Sequence, residues 1–157
     1  MFEITTREVA AEKVATITAH VRQEELSRFI PDAIGRIRAH VAAQGAVAKD
    51  VDLTLYHSSM GAEGQGTVEV CVPFTGSVEP AGDVAVRTEP AHTEAFARVT
   101  KGQVVDGQVM GAFDAVGSWL GENGLEVCGP AREVYFADWD AVDAATPAVD
   151  AALPFVR

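Results

Sequence analysis

Two stretches decide how this chain is read: ELSRFIPDAIGRIRAHVAAQG, from Glu25 to Gly45, and VVDGQVMGAFDAVGSWLGENG, from Val104 to Gly124. The first carries Leu26, Ile30, Ile34, Ile37 and Val41, the second Val105, Val109, Phe113, Val116 and Leu120, and each matching pair lies 79 residues apart. Both sets recur with the 3.6-residue period of an amphipathic helix. Both stop at a glycine, Gly45 and Gly124, which suits the left-handed residue that closes a helix. The same offset carries Tyr56 onto Tyr135.

Outward from the helices the correspondence continues with small shifts. VATIT (Val14 to Thr18) matches FARVT (Phe96 to Thr100), and CVPF (Cys71 to Phe74) matches ALPF (Ala152 to Phe155). Each half reads as strand, strand, helix, strand, strand: about 2–7, 12–19, 25–44, 51–57 and 67–74, then 83–88, 93–100, 104–123, 131–136 and 148–156. The glycine-rich GAEGQG (Gly61 to Gly66) connects two strands of the first half, and the acidic DWDAVDAATPAVD is its counterpart in the second. A repeat of this kind predicts one α+β domain over residues 1–157, built from tandem modules at about 1–76 and 77–157. Two helices cannot cover both faces of an antiparallel sheet of about eight strands, so they are expected on one face, with a ligand cleft on the other.

Composition limits the partners. Of the 157 residues, 48% are apolar, enough for a single core, and 23 acidic against 12 basic side chains give a net charge of -11. Nothing gathers Lys or Arg into a basic stripe, so direct nucleic-acid binding is not expected. The negative field favours cationic small molecules. The opening MFEITTREVAAEK lacks the apolar block of a secretory signal, and no run reaches the roughly 20 apolar residues of a membrane span. A cytoplasmic protein without membrane contacts is expected. The two cysteines, Cys71 and Cys128, have no C-x-x-C spacing and read as reduced, buried thiols.

Within PAREVYFAD (Pro130 to Asp138), strand alternation sends Arg132, Val134 and Phe136 to one face and Glu133 and Tyr135 to the other. A carboxylate here is a solvated charge on an open face, a catalytic acid, or the anionic floor of a pocket that takes a cation. The repeat bears on the choice, because the position matching Glu133 is Thr54, beside Tyr56, so the charge breaks the internal symmetry.

The order of elements, the helices closing in AAQG and GENG, the GPAREVYFAD stretch and the final LPF together resemble the GyrI-like effector-binding domains over essentially the whole chain. That family forms the drug-sensing part of some MerR-type and AraC-type transcription regulators and also occurs free-standing. The resemblance implies an aromatic-lined cleft between two modules whose central Glu, Glu133 here, binds lipophilic cations. With no helix-turn-helix ahead of Val14, the sequence resembles the stand-alone members. A second branch of the family hydrolyses strained cyclopropane-containing toxins with the same Glu and a Tyr, which implies an alternative activity for Glu133 and Tyr135.

The physics of a cation site is coherent. Unit charges about 4 Å apart attract by about 4 kcal/mol at an effective dielectric near 20, before desolvation is subtracted, and each aromatic face adds roughly 0.5–2 kcal/mol. Tyr56 and Tyr135 are the aromatic walls expected from alternation, with Thr54 beside Tyr56. Trp119, on the second helix, either caps the cleft or completes the core, and Trp139, in the acidic loop, is a candidate lid. Phe29 and Phe113 fall among core positions. His20, His40, His57 and His92 lie in different elements without ligand spacing, so no metal is expected. GSWLG (Gly117 to Gly121) misplaces its Ser for a nucleophile elbow, and GAEGQG lacks the Lys and helix of a phosphate loop, so no cofactor is indicated. Gly111, Gly117 and Gly121 each weaken the second helix by about 1 kcal/mol relative to Ala; close approach or helix mobility would explain them. A homodimer is left open.

Overall fold

In a computed structural model, residues 2–58 and 64–157 are described, and the glycine-rich loop at Gly61–Gly66 lies outside them up to residue 63. In chain order the elements are β1 (Ile4–Val9), β2 (Glu12–Arg22), α1 (Leu26–Ala43), β3 (Val47–Ala48), β4 (Asp52–Tyr56), β5 (Gln65–Thr75), β6 (Ala85–Glu89), β7 (His92–Thr100), α2 (Lys101–Val105), α3 (Val109–Glu122), β8 (Glu126–Val127), β9 (Ala131–Tyr135) and β10 (Pro147–Val156). The architecture is α+β, with eight main strands, all paired antiparallel, and two main helices. The strands sort into two compact units, residues 11–90 and residues 1–10 with 91–157.

The unit of residues 11–90 runs β6-β2-β5-β4 across its sheet, with β3 added on β5. The unit of residues 1–10 and 91–157 runs β1-β7-β10-β9, with β8 added on β10. The two orders are the same when each element is matched to its repeat. One strand in each unit comes from outside the repeat as read along the chain: residues 2–7 read as the first strand of the first module, yet β1 pairs with β7 from Ile4–Ala97 to Val9–His92. Likewise β6, read with the second module, pairs with β2, where Val14 faces Arg87.

Helix α1 buries Ala33, Ile37 and Val41, spaced four residues apart, against Ala15 and Ile17 of β2 and Val70, Val72 and Phe74 of β5. Helix α3 buries Ala112, Val116 and Leu120 against Ala95, Ala97 and Val99 of β7 and Ala151 and Phe155 of β10. The two buried triads lie 79 residues apart, so the repeat in the sequence is a repeat of the core. Full burial of a Val, Ile or Leu stabilises by about 1.5–3 kcal/mol. Phe29 and Phe113 pack against these cores from their flanks.

Both helices end alike. Gly45 and Gly124 take positive φ values of 77° and 68°. The following amides reach back, Ala46 N to Val41 O at 3.2 Å and Leu125 N to Leu120 O at 2.9 Å, while the glycine amides bond to Ala42 O and Gly121 O. This is the paired pattern of a glycine-closed helix end.

The second helix is not continuous over 104–123. Thr100 caps its start, accepting from Gln103 N at 3.1 Å while the Gln103 side chain accepts from Thr100 N at 2.9 Å, so the turn begins at Lys101. Gly107, at φ 77°, then ends α2 before α3 begins. As a result Val105, expected in the apolar stripe, is 71% exposed. A methyl at Gly117 would meet Leu153 Cδ1 at 3.9 Å, one at Gly111 would meet Phe2 at 3.8 Å, and one at Gly121 would meet nothing. Close packing therefore does not require these three glycines.

Candidate functional site

The side on which Glu133 lies follows from register. Antiparallel partners share a face of the sheet, and β9 pairs Glu133 with Ala151 and Tyr135 with Val149. Ala151 packs in the core beneath α3. Glu133 and Tyr135 therefore project to the helix-bearing face, whereas the expected cleft was on the face without helices. Parity decides this: a shift of one residue would reverse every side chain in β9.

On that face Glu133 is buried, with a relative exposure of 7%. The Tyr135 hydroxyl donates to Glu133 Oε1 at 2.9 Å. The Trp139 ring meets the Tyr135 ring edge-on, with centroids 6.3 Å apart and planes at 72°. Trp139 belongs to the acidic loop after β9. That loop is folded by its own aspartates: Asp138 O accepts from Ala141 N, and Asp143 Oδ1 accepts from Ala145 N and from the Thr146 hydroxyl. The Lys101 ammonium lies 5.2 Å from the Trp139 ring centroid and donates to the carbonyls of Trp139 and Val142. The result is a buried carboxylate, a phenol bonded to it, and an indole set against the phenol. A buried carboxylate is stabilised by an opposing positive charge, and aromatic rings attract cations without demanding a particular shape.

The other expected site residues lie elsewhere. Thr54 and Tyr56, on β4, pair with Val70 and Val68 of β5, and Val70 packs under α1, so both project to the helix face of their own unit. Thr54 is fully buried, and its hydroxyl oxygen has no hydrogen-bond partner among the described residues. Tyr56 is half-buried. Trp119 packs, partly buried, against the core under α3.

His57 and His92 bond to buried carboxylates, Glu69 and Glu94, each at 2.7 Å, and His40 to the carbonyl of Glu79. Among the described residues no group of three or more His, Cys, Asp or Glu could hold a metal. Cys71 is buried, whereas Cys128, expected to be buried, is exposed. It follows the two-residue strand β8, both of whose residues are exposed, and its own amide bonds to Pro154 O at 2.9 Å.

The charged residues missed in the sequence lie on the opposite faces. In one unit Asp150, 1% exposed, accepts from Arg7 at 2.8 Å and from Arg98 at 2.8 and 3.0 Å, while Arg7 also binds Glu94. Arg7 stacks 3.9 Å from the centroid of Phe96, and Arg98 4.6 Å from that of Phe136. In the other unit Arg87 bonds both oxygens of Glu69 at 2.9 Å. Burial pushes the Glu69 carboxyl up, but Arg87, His57 and Thr16 outweigh it and hold the group below the usual range. Alternation alone would have shown acids and arginines sharing a face; pairing across strands far apart in sequence was needed to show them joined.

No protein-family model and no curated protein matches the chain. Solved structures do match its fold. The C-terminal domain of EcmrR superposes with a TM-score of 0.85 at 20% identity over 100% of this chain and 99% of that one. In the complex of EcmrR with DNA the match has a TM-score of 0.83 at 19% identity and covers 98% of this chain, which spans 57% of the EcmrR chain. SAV2435 bound to tetraphenylphosphonium matches with a TM-score of 0.57 at 11% identity, over 98% of this chain and 94% of that one. A hydrolase encoded by lin2189 from Listeria innocua matches with a TM-score of 0.65 at 7% identity, over 98% and 92%. The chain therefore shares its fold with the C-terminal domain of EcmrR along its whole length. No described helix is long and apolar enough to cross a membrane.

Proposed function

We propose that this protein binds lipophilic, preferably cationic small molecules, with Glu133 as counter-ion and Tyr135 and Trp139 as aromatic walls, and serves to sense or sequester them. The observation that carries this reading is the buried Glu133 carboxylate, on the helix-bearing face, bonded to Tyr135 with Trp139 edge-on beyond it. A solved protein of the same fold bound to tetraphenylphosphonium supports the class of ligand. Trp119, partly buried in the same unit, belongs to the reading as a further ligand contact, tested by its own substitution.

Titration with tetraphenylphosphonium tests it. Saturable binding is expected, and Glu133→Gln, which keeps the shape and removes the charge, is expected to weaken it by roughly tenfold or more, the factor that 1.4 kcal/mol represents. Unchanged affinity in that variant rejects the counter-ion role.

The hydrogen bond from Tyr135 to Glu133 favours a second reading, hydrolysis of strained cyclopropane-containing electrophiles. A carboxyl group and a phenol in contact can pass a proton to an opening ring or from an attacking water. Turnover of such a substrate by the wild type, lost in Glu133→Gln, would establish it.

A further inference from the structure

We propose that Lys101 is a positioning residue: together with Gly102 it latches the loop of residues 137–146 and holds Trp139 against Tyr135. Its consequence for ligands rests on the binding reading above.

The loop is tied to the start of α2 by four hydrogen bonds. Two are from backbone amides, Lys101 N to Thr146 O at 3.0 Å and Gly102 N to Ala144 O at 2.9 Å. Two are from the Lys101 ammonium, to Trp139 O at 2.6 Å and Val142 O at 3.2 Å. The same ammonium lies over the indole, 5.2 Å from its centroid. One side chain thus holds both the backbone and the ring of Trp139. The glycine at position 102 is a steric requirement, because a Cβ there would stand 2.9 Å from Ala144 O and 3.2 Å from Ala144 Cβ.

The repeat shows which part of this tether is special. In the other unit the first residue after β2, Gln23, also donates its amide to the facing loop, to Gly64 O at 2.7 Å. The backbone tether is therefore common to both units. Among the described residues the lysine hook is found in the unit that carries Glu133, where the other unit has Gln23 at the matching place, and the same unit has the break between α2 and α3 that leaves α2 a short separate segment at the loop. An indole free to swing loses rotamer freedom on binding, whereas one already held in place does not, so the latch favours affinity through pre-organisation.

Trp119 and Trp139 are the only two tryptophans, so in a Trp119→Phe background Trp139 reports alone. Without any ligand, adding Lys101→Met is expected to red-shift its emission and increase acrylamide quenching, Lys101→Arg to restore both in large part, and Gly102→Ala to reproduce the change without altering charge. In the wild-type background Lys101→Met is expected to weaken tetraphenylphosphonium and the neutral triphenylphosphine oxide by a similar factor, roughly tenfold. Unchanged emission and quenching in both Lys101→Met and Gly102→Ala would overturn the latch. Tighter binding of the cation alone would also overturn it, since Lys101 would then be repelling the ligand. If the wild type binds neither probe, the ligand reading falls and the fluorescence comparison still decides the latch.

Discussion

Tyr135 donates its hydroxyl hydrogen to Oε1 of Glu133 at 2.9 Å, two residues back along β9 on the same face. The phenol thus has two separable parts, a ring that meets Trp139 and a hydroxyl that solvates a buried carboxylate. Tyr135→Phe keeps the first and deletes the second. Losing a hydrogen bond to a buried charged group costs about 1.5–3 kcal/mol, so the variant is expected to melt several degrees lower. Affinity for tetraphenylphosphonium should change less than about threefold, because the ring remains for cation–π contact. Thermal melts and titrations of the same sample check both halves.

Asp52, at the start of β4, responds to pH in an unusual direction. Its Oδ2 lies 3.6 Å from Arg38, and its Oδ1 has no hydrogen-bond partner among the described residues. Burial pushes its carboxyl up to about 6, against the lowering effect of Arg38. The folded state then holds the proton more tightly than the unfolded chain, so stability is fully present below about pH 4 and falls as pH rises toward 6. Asp52→Asn is expected to match the wild type at pH 4 and to exceed it by about 1–3 kcal/mol at pH 7.5. Denaturant melts at the two pH values measure this.

Glu69 behaves oppositely. Arg87, His57 and Thr16 hold its carboxyl below the usual range despite burial, so its contribution is present at neutral pH and is lost as pH falls through the folded value. Glu69→Gln should destabilise at pH 7 by about 2 kcal/mol, with the gap closing on acidification. Arg87→Met leaves the carboxylate buried without its guanidinium and should cost more, about 3–5 kcal/mol. Equal destabilisation by Glu69→Gln at pH 7 and pH 3 would contradict this account.

In α3, Gly117→Ala places a methyl at ordinary contact distance from Leu153 Cδ1 and removes a helix-interior glycine. It is expected to stabilise by about 0.5–1 kcal/mol, raising the melting temperature by a few degrees. A lower melting temperature would mean that the helix approaches its sheet more closely than 3.9 Å allows.

The repeat of 79 residues was legible because helix burial is periodic and local. Ile37 and Val41, with Val116 and Leu120, could be placed on buried faces from spacing alone, and Gly45 and Gly124 from the conformation that only glycine adopts freely. Pairing Glu133 with Tyr135 needed only the alternation of a strand. The sequence alone thus determined the main strands, the buried helix stripes with their glycine-closed C-terminal ends, and the residues that travel together on one strand, but not the break at Gly107 between α2 and α3. Three things awaited the tertiary structure. Strand β1 pairs with β7 across more than 80 residues, and alternation says nothing about which strand lies alongside. The side of the sheet that Glu133 faces depends on its pairing with Ala151 in β10. Lys101, an unremarked charge in the chain, reaches Trp139 38 residues away through backbone carbonyls, acceptors that every residue possesses and no sequence pattern marks. Local periodicity is written in side chains, but registers between distant strands and bonds to backbone oxygens are decided only when the chain closes on itself.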